Sequence, residues 1–476
     1  MSDFFEKSDI FRSIIMTEEQ REREYVLHTW TAQQDWHGPT VTGGQGAWFW
    51  DAQGRRYLDF SSQAECSNLG HQHPRVVQAI QEQAARLCYV SNAWGAQPRA
   101  ELAERVVALA NAGLPSDATL SYSKVFFTCD GAEAVENAVK MARWVTGRQK
   151  IIARYRSYHG ATHAAMSIGA DARGWNTPAG LHDVVHVLPP YCYRCPFGVQ
   201  PDSCGVRCAE HVEEVIHYEG PHTIAAIIAE PAAGTNGIAP PPDYWQRLRQ
   251  ICDHYGILLI ADEVMSGFGR TGAWFAWQRL GAAPDLFTLA KGITGAHIPL
   301  GAVCVSRKVA DFFETRVLET GLTYSGHPLA CAAGVAALRA YADEGLIERA
   351  ASLGDVLFAR LRQVQDAHAC IGDVRGMGLF AIVEMKEFSF PRPLAWLKRL
   401  QQDALQRGLS LAVRGNMLII SPPLVIEQAD LLWGLDVIDS LLPTPQDGQA
   451  TSSRSDDLTI RHVRHQPCEG SKPSQG

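Results

Sequence analysis

The 476-residue chain reads as an α/β protein. It predicts a large domain on a mostly parallel central sheet, plus a smaller α/β domain. Three observations carry this. Apolar runs of strand length recur at 124–128, 151–154, 224–229, 257–261 and 286–290. They are continuous rather than alternating, as strands covered on both faces of a parallel sheet are. Stretches with helical spacing alternate with them, at 75–87, 99–112, 131–143 and 244–255. Finally, the length suffices for two cores.

Taken in order, residues 1–44 are polar, with a charged run at 18–24 that reads as a solvated helix face. A strand, a turn at 52–54 and a second strand follow within 47–59. Helical spacing begins after Gly70-His71-Gln72-His73-Pro74. A further strand is expected at 299–306, a small-residue helix at 329–344, and strands near 378–385 and 417–420. The expected division is an N-terminal segment, 1–69, belonging to the small domain; a large domain, 70–322; and a C-terminal small domain, 323–443. The last stretch, 444–476, is rich in Ser, Gly, Pro and Gln and is expected to be disordered.

The central runs end in charges. Run 257–261 is followed by Asp262, and run 286–290 by Lys291. Ligands of open α/β sheets sit at that end of the strands. A lysine just past a buried strand is partly desolvated, which favours the neutral, nucleophilic amine of a Schiff-base lysine. A nearby aspartate suits a pyridinium nitrogen, so the pair suggests pyridoxal phosphate (PLP). Taken singly, each has a plainer reading, as a strand-end surface lysine and a helix cap. Strand 124–128 runs through Cys129-Asp130-Gly131-Ala132 into a helix, which presents free N–H groups to a phosphate. Tyr158, just past strand 151–154, is placed to stack on a planar ring or to serve as a rim residue.

Composition narrows the options. Apolar content of 46%, charged content of 20% and a net charge of −8 fit a soluble enzyme and argue against a nucleic-acid partner. No apolar run has the length of a membrane span. The opening residues lack a secretory core, so the expected location is the cytoplasm. Cys192, Cys195, Cys204 and Cys208, with His211, form a thiol-rich loop that can bind zinc. The pairs lack the tight repeated spacing of a zinc ribbon, so they are read as reduced thiols and no metal is expected.

The motifs Asp262-Glu263-Val264, Gly267-Phe268-Gly269-Arg270-Thr271-Gly272, Ala290-Lys291-Gly292 and Thr323-Tyr324-Ser325-Gly326-His327-Pro328 occur in a specific order. With them the chain, over about 30–440, resembles the class III (omega) aminotransferases, of the PLP-dependent transferase fold type I. His28-Thr29-Trp30, Phe60-Ser61-Ser62-Gln63 and the Gly70–Pro74 motif look most like the taurine–pyruvate group. The resemblance implies that Lys291 carries PLP and that Asp262 meets its ring nitrogen. It places Gly131 and Ala132 on the phosphate and Tyr158 on the ring. It has Thr323 reach the phosphate of a partner subunit, making a homodimer, and has Glu230 pair with a movable arginine. The implied reaction moves an amino group from an amine donor to a keto acid, pyruvate or 2-oxoglutarate.

Two positions depart from the family pattern. Ile419 stands where several members place a carboxylate-binding arginine, leaving Arg414 as the nearest candidate. Glu65 stands where the family often has an apolar side chain lining the substrate pocket. A carboxylate there disfavours an anionic donor, unless it turns away or pairs locally. A racemase, epimerase or decarboxylase on the same fold is the alternative reading. A non-catalytic scaffold is disfavoured by the intact Lys291, Asp262 and phosphate turn.

Overall fold

The structure, a computed structural model, describes residues 16–176, 180 and 183–443. The tail expected to be disordered, 444–476, lies outside them.

Among the described residues fifteen strands build three sheets. β1 (Val41–Gln45), β2 (Trp48–Asp51) and β3 (Arg56–Asp59) form an antiparallel meander. The central strands are β4 (Tyr122–Thr128), β5 (Lys150–Arg154), β6 (Val184–Val187), β7 (Ile224–Ala229), β8 (Leu258–Asp262), β9 (Leu286–Leu289) and β10 (Gly301–Ser306). Their order is β4-β10-β9-β8-β7-β5-β6. From β9 to β6 every pairing is parallel, and β10 runs antiparallel to both its neighbours. The C-terminal strands are β11 (Ile371–Met377), β12 (Phe380–Met385), β13 (Leu409–Ser410), β14 (Ala412–Arg414) and β15 (Met417–Ile420). Four of them pair antiparallel in the order β11-β12-β15-β14. β13 instead joins β3 in parallel, with Leu409 opposite Leu58, and so ties the two ends of the chain together.

The apolar runs explain the sheet. β7 and β8 are buried at every position, as the absence of alternation predicted. The helix Gly131–Thr146 lays Ala134, Val135, Ala138, Val139 and Ala142 on the sheet. Asp130 caps its start by accepting from the Glu133 N–H at 2.9 Å, and Gly147, at φ +68°, ends it. The helix Pro328–Asp343 buries small residues against the helices Pro74–Arg86 and Gln97–Ala112. The charged run became the helix Glu18–Tyr25, exposed throughout and started by a Thr17–Gln20 capping box. Among the described residues no helix is long and apolar enough to cross a membrane.

Five strands escaped the sequence reading, the short β6, β13 and β14 and, for one shared reason, β1 and β11. β1 contains Gly43 and Gly44, and β11 contains Gly372, Asp373, Arg375 and Gly376, so neither shows an apolar run. Pairing with β2 and β12 makes them strands.

Candidate active site

The parallel register sets the site. β8 and β9 are neighbours, with Asp262 opposite Thr288. Asp262 therefore ends one strand while Lys291 leaves the end of the next. Asp262 Oδ1 accepts from Thr288 Oγ1 at 3.0 Å and from the Val264 N–H at 3.1 Å. Its Oδ2 lies 2.6 Å from His159 Nδ1. Three donors thus fix a buried carboxylate. A carboxylate facing Nδ1 places the ring proton there, and His159 Nε2 is buried with no hydrogen-bond partner among the described residues. Lys291 holds φ +47°, an uncommon conformation outside glycine, and its Nζ lies 3.3 Å from Glu65 Oε2.

A cavity of about 660 Å³ opens at these strand ends. Glu65, Gly131, Ala132, Tyr158, Glu230, Asp262 and Lys291 all line it, so one space collects seven of the nine residues singled out from sequence. At one wall the helix Gly131–Thr146 begins, and nothing among the described residues accepts from the N–H of Gly131 or Ala132. Two unused amides at a helix start form an anion site. The turn is tight. A Cβ on Gly131 would stand 2.9 Å from both Val264 methyls, and one on Gly160 would stand 2.3 Å from the Ala132 Cβ. A lysine amine, a fixed carboxylate and an empty-handed helix start match the aldehyde, ring nitrogen and phosphate of PLP.

That match agrees with the comparison to known proteins. The sequence profile described as aminotransferase class-III matches residues 32–442. The chain belongs to that family. It is 36% identical over 411 residues to a leucine/methionine racemase of Thermococcus litoralis, covering 84% of this chain and 89% of the relative. It is 38% identical over 399 residues to a 5-aminovalerate aminotransferase of Pseudomonas putida, covering 82% and 90%. A solved taurine:2-oxoglutarate aminotransferase from Bifidobacterium kashiwanohense, in complex with PLP and glutamate, aligns with a TM-score of 0.84 at 38% identity, covering 89% of this chain and 96% of that one. Fold type I and PLP as the cofactor of this class-III aminotransferase follow.

Two residues picked from sequence stand elsewhere. Thr323 is exposed, and its carbonyl accepts from the Tyr89 hydroxyl at 2.8 Å. Arg414 is exposed at the end of β14, where its Nη1 donates to the Val413 carbonyl at 3.1 Å. Neither lines the cavity of the single chain. Ile419 packs in β15 with Ala232, Met265, Phe380, Ile382 and Met417, an apolar wall where an arginine would have no partner. The sequence reading missed His159 and Thr288. Thr288 was visible as the one polar residue inside an apolar strand, whereas His159 gave no signal beyond following Tyr158. It also missed Arg173, whose guanidinium lies 3.5 Å from the centre of the Tyr158 ring and pairs with Asp171. In the thiol-rich loop, Cys192, Cys195, Cys204 and Cys208 are free. Among the described residues no group of three or more His, Cys, Asp or Glu is placed to hold a metal ion.

Glu230 is the electrostatic outlier. Burial pushes its carboxyl up to about 7, and Asp262 adds to this, against the pull of His159, Arg154 and the Tyr158 N–H. That N–H donates to Glu230 Oε1 at 3.1 Å. The ordinary value is 4.5, so between the two values the native chain keeps a proton that the unfolded chain releases. Stability therefore falls as pH rises through this window. Glu230→Gln retains an acceptor for Tyr158 and removes the buried charge. It should stabilise the apoprotein by roughly 2–3 kcal/mol above about pH 8, a gain that shrinks toward zero near about pH 5. Denaturant melts at the two pH values measure this, and an equal gain at both would assign the effect to packing.

Proposed function

We propose that this class-III aminotransferase moves an amino group from an omega-amino acid or other primary amine to pyruvate or 2-oxoglutarate. The reaction would run as two half-reactions through one pocket. The observation that carries the reading is the pairing of Lys291 and Asp262 at the ends of adjacent parallel strands, facing one cavity with an open helix start. Bound there, PLP supplies an electron sink for the bond that breaks at the substrate carbon. The chain's own groups do the rest. Lys291 would hold the cofactor covalently and act as the base that takes the proton from the substrate carbon and returns it. Asp262, fixed by His159, Thr288 and Val264, would hold the ring nitrogen. The Gly131 and Ala132 N–H groups would hold the phosphate, and Tyr158 would flank the ring.

A racemase is the second reading, because one relative is named as such. Only amino transfer consumes a keto acid stoichiometrically. Supporting a cytoplasmic setting, the described cysteines are free thiols. The proposed division at 70 and 323 agrees with the sheets, since β4–β10 fall inside 70–322 and the other strands outside it.

A homodimer is part of this proposal. Thr323 lies beside exposed aromatic side chains, Tyr89, whose hydroxyl meets its carbonyl, and Tyr324, whose ring packs on that of Tyr89. Such a patch suits a second copy of the chain, which would bring Thr323 to the partner's phosphate site. Sedimentation should give about twice the 52.3 kDa chain mass. A monomer at working concentration would remove Thr323 from the site.

Lys291→Ala should abolish transamination and the visible absorbance of bound cofactor while the chain still folds. Asp262→Asn should retain PLP and lose nearly all turnover, since an amide cannot hold the ring nitrogen protonated. Retained turnover in either variant, followed by keto-acid-dependent amino acid formation, would refute its role.

Arg414 is proposed as the mobile group for the acceptor's carboxylate. It is exposed and, among the described residues, its side chain bonds only to its neighbour's carbonyl, so little restrains it. Removing one partner of a partly buried arginine–carboxylate contact costs roughly 2–5 kcal/mol. Arg414→Ala should therefore slow the acceptor half-reaction by orders of magnitude and spare a cationic or neutral donor. Single-turnover rates of each half-reaction decide it, and equal losses in both would make Arg414 structural.

A further inference from the structure

The cavity is acidic, and one of its acids is held there against backbone strain. Its charged side chains are Glu65, Asp130, Glu230, Asp262 and Lys291, and among the described residues no arginine lines it. Asp130 is spent on capping its helix, and Asp262 on His159, Thr288 and Val264. Glu230 accepts from the Tyr158 N–H. Glu65 differs, because among the described residues its carboxylate is bonded to Lys291 alone.

The backbone under Glu65 is a left-handed turn. Ser62, Gln63, Ala64 and Glu65 have φ of +45°, +49°, +69° and +58°, with no glycine among them. Each such residue is held at a cost of about 1–2 kcal/mol. Tertiary contacts impose the turn. Arg270 Nη2 donates to Ser62 Oγ at 3.0 Å, and Ser62 Oγ donates to the Ser421 carbonyl at 2.6 Å. Asp59 Oδ1 accepts from the N–H groups of Ser61 and Gln63. The outcome is selective: Gln63 and Ala64 face solvent, while Glu65 is 6% exposed and turned into the cavity. Strain kept at a pocket wall marks a functional position.

A carboxylate this buried requires a cation. Lys291 supplies one while its amine is free. Buried Arg270 also acts on Glu65, from outside the cavity lining. On the cavity side, once the Lys291 amine is committed to the cofactor, a cationic group of the incoming donor would take its place beside Glu65.

We infer that Glu65 selects a donor carrying a second positive charge, a diamine, over amines whose far end is neutral or anionic. This rests on the transaminase reading and names its donor class. It sets the chain apart from the taurine aminotransferase it resembles, whose named substrate ends in a sulfonate. The residue is specificity-determining rather than catalytic, so the readout is a ratio between donors.

The test uses the PLP-loaded enzyme and three donors of one chain length: 1,4-diaminobutane, 1-aminobutane and 4-aminobutanoate. Single-turnover rates over a concentration series give the donor half-reaction's efficiency for each. The wild type should prefer the diamine to the monoamine, and the monoamine to the amino acid, by at least about tenfold at each step. Glu65→Gln, which keeps the shape and removes the charge, should collapse both ratios by about tenfold or more. A wild-type enzyme that turns over 1-aminobutane as well as the diamine, or prefers 4-aminobutanoate, overturns the inference and leaves the transaminase reading intact. Unchanged ratios in Glu65→Gln do the same. Should that variant fail to fold, the wild-type ranking and Glu65→Asp, expected to keep the order with smaller ratios, still decide it. No keto-acid-dependent product from any donor would overturn the reaction itself.

Discussion

Arg270 is the constraint on which the rest of the molecule leans. It is fully buried, between β8 and β9, and a buried guanidinium is tolerated only where acceptors surround it. Its Nη2 reaches Ser62 Oγ at 3.0 Å and Asn68 Oδ1 at 2.6 Å, and its Nη1 reaches the carbonyls of Leu379 at 3.1 Å and Pro422 at 2.5 Å. Burial pushes its pKa down to about 10, which leaves the side chain charged at neutral pH. One cation therefore fastens the N-terminal segment, the loop before β12 and the segment after β15 to the central sheet. The loop that carries it begins at Asp262 and leads to Lys291. The groups that would hold the cofactor and the clamp that closes the wall around them thus come from one stretch of chain.

This explains what could be read from the sequence. Asp262 and Lys291 were legible because a charge ending an apolar run is a local pattern, and parallel pairing of the runs brings the charges together. The open helix start at Gly131 was legible because a strand, small residues and a helix follow one another. The direction of Glu65 was not. Ser61-Ser62-Gln63-Ala64-Glu65 contains no glycine to announce a left-handed turn, and the contacts imposing it come from Asp59, Arg270 and Ser421. The Asp262–His159 pair was hidden for the same reason, since it joins residues 103 positions apart. Arg414 was chosen by its distance along the chain from Ile419, yet the β14–β15 hairpin places it across from Met417 on an exposed edge.

Within the cavity, environment separates carboxylates of similar chemistry. Asp262 has three donors on two oxygens, whereas Glu230 has one backbone N–H and full burial. Donors stabilise an anion, and burial without them favours the acid. Glu230 accordingly titrates near 7, where a modest change of partner shifts its charge. It is suited to accept a mobile arginine when one arrives and to stay neutral when none does. A fixed arginine in place of Ile419 would have found no such partner among Met265, Phe380 and Met417.

The same side chains bear on the choice between amino transfer and racemisation. Inversion at a carbon needs proton traffic on both of its faces, whereas transfer of an amino group needs a base on one face only. Among the described residues Lys291 is the one amine lining the cavity, and Glu65, at 3.3 Å, stands beside it. Asp130 and the Asp262–His159 pair are engaged in holding structure. The remaining acid is Glu230, and its oxygen is taken by the backbone N–H of Tyr158, the residue that would cover the ring. Proton-handling groups are thus concentrated around Lys291; among the described residues the other lining base with an unpartnered atom is His159, whose Nε2 is buried and whose Nδ1 is tied to Asp262. One-sided proton traffic is the pattern of amino transfer, so the arrangement favours the transaminase over the racemase even though a racemase is 36% identical over 411 residues.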